Sequence, residues 1–158
     1  MSGFSHIDKE GNPHMVDISE KKPTTRTAKA YGKVVISKEV YEAIKNNTIV
    51  KGPVLETAKI AGILGAKKTH LIIPLTHPLL IEYIDIEFNI IPYEIEIISH
   101  VKMEGKTGAE MEALTAVSTA ALTIYDMCKA LDKKIIISEI KLLEKTGGKS
   151  GTFKREKG

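Results

Sequence analysis

The stretch Thr107–Lys134, TGAEMEALTAVSTAALTIYDMCKALDKK, constrains this chain more than any other. Ala113, Ala116, Val117, Ala120, Ala121, Ile124, Met127, Cys128 and Leu131 fall on one side at helical spacing, so the segment reads as one long amphipathic helix. Thr107 and Glu110 form a capping-box pattern at its start. The other side shows Glu112, Thr115, Thr119, Asp126, Lys129 and Lys133. Charged helix faces are common and usually face water. Asp126 and Lys129, three residues apart, are surface neighbours. Glu112 and Asp126 point the same way but lie about 21 Å apart at ~1.5 Å rise per residue. One small ligand cannot touch both within one chain. An antiparallel copy of the helix from a second subunit could bring them together, and the Ala- and Thr-rich surface permits close approach.

The rest of the chain supplies a sheet. Ala28–Ile36 alternates like a strand. Ser37 is a good N-cap for a short helix ending near Asn46-Asn47, and Pro53 suits the first position of a second helix that Gly62 and Gly65 weaken near its end. His70–Leu80 (HLIIPLTHPLL) reads as a stiff, non-helical segment, because Pro74 and Pro78 restrict themselves and their predecessors. Ile81–Ile91 and Tyr93–Glu104 read as a hairpin, and Lys134–Glu144 as a last strand. The order is strand, helices, strand, strand, helix, strand. This predicts an α+β, ferredoxin-like βαββαβ fold, the split βαβ pattern, with an antiparallel sheet and helices on one face. Residues 1–158 are expected to form a single domain, with a flexible arm at 1–14 and a flexible Gly/Lys-rich tail at 146–158.

Composition narrows the function. A net charge of +3 permits an anionic ligand without demanding nucleic acid, and the absence of Trp leaves few groups for base stacking. The single cysteine, Cys128, falls on the apolar side of the long helix and forms no disulfide framework. No apolar run reaches the ~18 residues of a membrane span, and no signal-peptide core is visible. The expected location is the cytoplasm, with no membrane partner.

Candidate sites are several. Lys145–Gly151, KTGGKSG, is not a nucleotide-hydrolase P-loop: the position needing its first Gly is Leu143. It could be a cationic flap over phosphates or a disordered tail. Lys51 precedes Gly52-Pro53, so its ammonium could sit near a helix N-terminus, or simply in solvent. His77 could be a metal ligand, a phosphate donor, a general acid/base or a structural histidine. No Cys/His cluster accompanies it, so no metal site is expected. If a second lysine lies near the Asp126–Lys129 pair, one ammonium pKa should fall and that residue could transfer protons near neutrality.

Several pieces together resemble one family, the cyclic pyranopterin monophosphate synthases, or C proteins of molybdenum-cofactor biosynthesis (the MoaC family). They are MVDIS with the following Lys, Thr, Arg and Ala positions to Gly32, KGPVLETAKIAGILGAKKT, LIIPLTHPL, TGAEMEALTAVSTAALTIYDMCKALDK and LLEKTGGKSG, in one order along most of the chain. The resemblance implies a lyase. It converts 3′,8-cyclo-7,8-dihydro-GTP, a small nucleotide-derived triphosphate, into cyclic pyranopterin monophosphate and releases pyrophosphate. It also implies a homohexamer built as a trimer of dimers, with active sites at a dimer interface. No organic cofactor is implied, though a divalent ion such as Mg2+ could share in charge neutralisation.

Carried over residue by residue, Asp126 in YDMCK matches the family's active-site aspartate, and Lys51 and Lys129 match its catalytic lysines. Leu75, Thr76 and His77 match a substrate-binding triplet, and Met111 and Glu112 a second contact, with Glu110 beside them. Arg26, Lys21, Lys145 and Lys149 match positions suited to gripping phosphates. Thr76 stands where many members have cysteine, which removes any thiol role there while keeping a hydroxyl. Pro53 stands where an acidic residue is common. Two rivals make different demands. An RNA-binding domain of similar strand order needs stacking aromatics, and Tyr93–Glu104 has one. A ligand-sensing module would bind the nucleotide without turning it over.

Overall fold

The computed structural model describes residues 7–8 and 10–156. The chain runs β1 (Thr24–Val35), α1 (Lys38–Lys45), α2 (Val54–Lys67), α3 (Thr69–Ile72), β2 (Tyr83–Ile91), β3 (Glu94–Gly105), α4 (Glu110–Cys128), β4 (Ile136–Thr146) and β5 (Phe153–Lys154). The sheet order is β2-β3-β1-β4-β5, and every pairing is antiparallel. The first four strands give the ferredoxin-like order. β2 and β3 form the expected hairpin, closing from Ile91 opposite Glu94.

Strand alternation sets the core. Ala28, Ala30, Val34, Ile95, Ile97, Val101 and Met103 are buried on one face, under the helices. α4 lies over β1, β3 and β4, and α2 packs beside it toward β2. Each residue assigned to the apolar side of α4 from Ala113 to Cys128 is buried; Leu131, beyond the helix end, is 42% exposed. Buried Ser99 interrupts the apolar run of β3 and donates its hydroxyl to Ala113 O at 2.8 Å, so it carries its own partner into the core. Ser37 caps α1, accepting from Val40 N at 3.2 Å.

Three local expectations change. α4 starts at Glu110 with Ala109 as N-cap and no side-chain cap, so Thr107 and Glu110 form no capping box. The Glu110 carboxylate instead folds over Gly108. Gly62 and Gly65 do not weaken the end of α2; they are buried where it crosses α4. A side-chain carbon on Gly62 would lie 2.9 Å from Ala116 O, and one on Gly65 2.8 Å from Thr119 Cβ. His70 is helical, within α3, although 73–80 is non-helical as the prolines require.

The termini also differ. Of the arm at 1–14, residues 1–6 and 9 lie outside the described residues. Asp8 closes a small turn by accepting from Glu10 N and Asn12 N, and Ile7 bridges Pro13. The tail at 146–158, expected to be flexible, folds back through its glycines as far as it is described. β5 pairs Lys154 with Glu144 and Phe153 with Lys145. Hydrogen bonds to the β4 backbone decide this, with Arg155 N donating to Leu143 O at 2.8 Å and the Arg155 side-chain Nε to Leu142 O at 2.7 Å.

The helix crossing is testable. Gly62→Val forces carbon into the α2–α4 contact and should cost about 1–3 kcal/mol through overpacking. A urea denaturation series measures this, and an unchanged midpoint would contradict the close crossing.

Candidate functional site

The candidate residues assemble at opposite ends of α4. At its N-terminal end lies a cleft of about 980 Å³. Its walls include Lys21, Arg26, Leu75, Thr76, His77, Glu110, Met111, Glu112, Lys145 and Lys149. Topology gathers them. Arg26 lies on the helix-covered face of β1, two residues before Ala28. Glu110, Met111 and Glu112 open α4, Lys145 ends β4, and the proline-restricted 73–80 segment supplies the triplet.

Backbone contacts fix several of these side chains. His77 Nε2 lies 3.0 Å from Val16 O. A carbonyl only accepts, so Nε2 carries the hydrogen and Nδ1 is left to act separately. Thr76 Oγ1 donates to Ile73 O at 2.8 Å, which locks the turn. Lys145 hydrogen-bonds to Ser150. Six cationic side chains line the cleft, Lys21, Lys22, Arg26, Lys106, Lys145 and Lys149, against three carboxylates, Glu20, Glu110 and Glu112. The excess suits an anion bearing several charges.

Glu112 is not on a solvated face. It is 3% exposed, and burial pushes its carboxyl up to about 7, with the nearby Glu110 charge adding to the rise. Desolvation therefore outweighs the attraction of a helix N-terminus for a carboxylate.

The other end of α4 holds Lys51, Asp126 and Lys129, and none of them lines the cleft. Lys129 Nζ donates to Asp126 Oδ1 at 2.7 Å, and Lys51 Nζ to Asp126 Oδ2 at 2.8 Å. Lys51 Nζ also donates to Asp126 O at 2.9 Å. Lys51 thus sits at the C-terminal end of α4, where carbonyls attract cations, rather than at the N-terminus of α2. The two ammoniums, Lys129 first, hold the Asp126 carboxyl down at about 2. The expected fall in a lysine pKa does not occur at Lys129, whose value rises because the carboxylate stands directly beside it. Within one chain the cluster is an ion triad in which two ammoniums share one carboxylate, leaving a net positive charge.

Lys22, Lys106 and Ser150 line the cleft without having been singled out in the sequence. Lys106 Nζ donates to Ser19 O at 2.9 Å, pinning the 15–22 segment to the start of α4. A lysine just beyond a strand carries no signal of that role; only its place just before Thr107 hints at it. Among the described residues, no three His, Cys, Asp or Glu gather closely enough to hold a metal. No helix among them is long and apolar enough to cross a membrane. Cys128 is buried, and burial pushes its thiol up to about 11, as for a core residue.

A ferredoxin-like sheet with a cationic cleft at the mouth of its long helix defines an α+β protein suited to a small, anionic molecule. The chain belongs to the MoaC family, whose pattern it matches over residues 15–148. It is 55% identical over 157 residues to the cyclic pyranopterin monophosphate synthase of Lysinibacillus sphaericus (strain C3-41), covering 97% of this chain and 98% of that one. It is 57% identical over 154 residues to the enzyme of the same name from Desulfitobacterium hafniense (strain DSM 10664 / DCB-2), covering 97% and 94%. A third of that name, from Bacillus subtilis (strain 168), is 54% identical over 160 residues, covering 99% and 94%.

The Glu112 shift has a pH signature. Its folded value lies above the unfolded one, so the folded state binds the extra proton between pH 4.5 and about 7. Stability falls as pH rises through that window and levels off above it. Glu112→Gln should match the parent near pH 4 and exceed it by about 2 kcal/mol at pH 8. Denaturant unfolding at both pH values measures this, and a pH-independent difference would contradict it.

Proposed function

We propose that the chain is a cyclic pyranopterin monophosphate synthase, a lyase of molybdenum-cofactor biosynthesis. It acts on 3′,8-cyclo-7,8-dihydro-GTP, rearranges the purine-derived part into a pyranopterin, closes a cyclic phosphate and releases pyrophosphate. The observation that carries this reading is the gathering of Arg26, His77 and the lysines Lys21, Lys145 and Lys149 around one cleft, in a chain more than half identical to enzymes of that name.

In this reading the cleft cations hold the triphosphate. Charge-assisted hydrogen bonds to phosphate are strong, and a guanidinium adds directional fit. Leu75, Thr76, Met111 and Glu112 border the remainder of the ligand. A ribose-derived hydroxyl attacks the α-phosphorus, the bond from that phosphorus to the bridging oxygen breaks, and the electron pair leaves with pyrophosphate. Cations fixed around the phosphates stabilise the charge that builds on the leaving group. Lys51 and Lys129 transfer protons during ring opening and reclosure, and Asp126 orients them.

The last assignment needs a second subunit. Residues 112 and 126 of α4 are separated by about 21 Å along the helix axis, so the triad of one chain cannot serve its own cleft. We assign the triad to the cleft of a partner copy, in a dimer of which three make a hexamer. Ile60 and Leu64, one turn apart on α2, are exposed, as is Leu122 on α4, and they offer apolar area for such a contact. In the assembled site the cations of the partner's cleft would stand beside the triad, and like charge lowers an ammonium pKa toward the range of proton transfer.

A ligand-sensing module is separated from an enzyme by turnover. Incubated with the cyclised nucleotide, the protein should release pyrophosphate. Lys51→Ala and Lys129→Ala should each lower kcat by about 10²-fold or more with melting temperature unchanged. Near-normal release by both variants would reject the lysine roles, and tight binding with no release by the parent would favour sensing.

A further inference from the structure

β1 and β4 stay paired as far as Thr27 opposite Thr146, whose hydroxyl oxygens are 2.6 Å apart. The next residues of β4's strand direction pass over the side chain of Arg26. They are Gly147 at φ +92° and Gly148 at φ +78°. A side-chain carbon on Gly148 would lie 2.7 Å from Arg26 Cζ and 3.0 Å from Nη2, and closer still to Nη1. One on Gly147 would lie 3.0 Å from Arg26 Cδ. The bare backbone of these two residues is therefore in contact with the guanidinium and its stem.

The other side of Arg26 is held as well. Its Nε donates to Gly105 O at 3.3 Å. The loop is fixed beyond the contact by Gly151 N donating to Gly148 O at 3.1 Å, and by the pairing of β5 with β4. Both Arg26 and Gly148 line the cleft. We propose that Gly148 is a positioning residue for Arg26. Its missing side chain leaves the room in which the guanidinium rests, so that with Nε engaged by Gly105, the two terminal nitrogens face the phosphates as a fork. A guanidinium is planar and donates in fixed directions, so displacing it misaligns both hydrogen bonds at once. The inference rests on the reading of the cleft as a triphosphate site.

Two causes could make glycine necessary at position 148: its positive φ, and the space it leaves. Gly151 separates them. It has φ +66° in the same loop, and a side-chain carbon there would meet nothing within 4 Å. The probe is inorganic tripolyphosphate, its dissociation constant measured by calorimetry on the full chain, with KM and kcat for the cyclised nucleotide alongside. Gly148→Ala should weaken tripolyphosphate and raise KM by about tenfold, with kcat within about twofold, because a misplaced binding group acts on the bound state. Gly148→Asn, which tolerates the left-handed backbone better, should show the same loss. Gly151→Ala should stay within about twofold of the parent. In an Arg26→Ala background, Gly148→Ala should add nothing, since the two act as one unit.

Equal losses in the Gly148 and Gly151 variants, recovery in Gly148→Asn, or an additive loss on top of Arg26→Ala would each overturn the proposal. A parent that binds tripolyphosphate but releases no pyrophosphate would sink the enzyme reading and leave this inference standing. A parent that turns over while Gly148→Ala binds normally would do the reverse.

Discussion

The structure depends on how closely α4 can be seated. Ala113, Ala116, Ala120 and Ala121 bring its backbone down to the sheet, where Ala28, Ala30 and Gly32 lie beneath. A side-chain carbon on Gly32 would already be 3.3 Å from Val117 Cβ. On the flank, Gly62 and Gly65 let α2 approach almost backbone to backbone. Small residues on both partners yield dense packing at short range, and dense packing fixes orientation as well as depth. α4 is thus a rigid bar across the sheet, and rigid placement of its two ends is what a site built on them requires.

The two ends differ in chemistry for physical reasons. The N-terminal end meets the strand ends of β1, β3 and β4, and these edges carry Arg26, Lys106 and Lys145. That end becomes a cationic cleft with a buried carboxyl whose pKa is raised to about 7. The C-terminal end exposes carbonyls and an aspartate, which draw in Lys51 from the α1–α2 connection. A polyanion fits the first end. A compact acid–base group fits the second. Their separation along one helix is the ground for proposing a site shared between subunits, and exposed apolar side chains on α2 and α4 offer area for that contact.

Much of this was legible in the residues, and the exceptions have a common cause. The apolar stripe of α4, the β2–β3 hairpin, the Ser37 cap and the Asp126–Lys129 neighbourhood are local, set by period or by spacing of a few residues. Gly62 and Gly65 read as helix-weakening because propensity looks only along the chain, whereas their role is set by Ala116 and Thr119 across the crossing. Lys51 and Asp126 lie 75 positions apart, and no periodicity links them. Glu112 shares a helical side with Asp126, yet it is buried at the cleft while Asp126 is exposed. The Gly/Lys-rich tail has the composition of a flexible segment, but two backbone pairings on β4 are enough to return it over Arg26.

In the proposed dimer the cleft of one subunit is completed by the triad of the other. Mixing inactive subunits distinguishes this from a self-contained site. Lys51→Ala chains and chains with Arg26, Lys145 and Lys149 all replaced by Ala, each first shown to release no pyrophosphate alone, are dissociated and reassembled together, and pyrophosphate release is measured against the ratio of the two. Random pairing in a two-fold dimer puts one intact site in each mixed pair, so an equal mixture should recover about a quarter of the parent activity. No recovery at any ratio, with mixed assemblies confirmed by mass, would mean that each chain carries its own complete site.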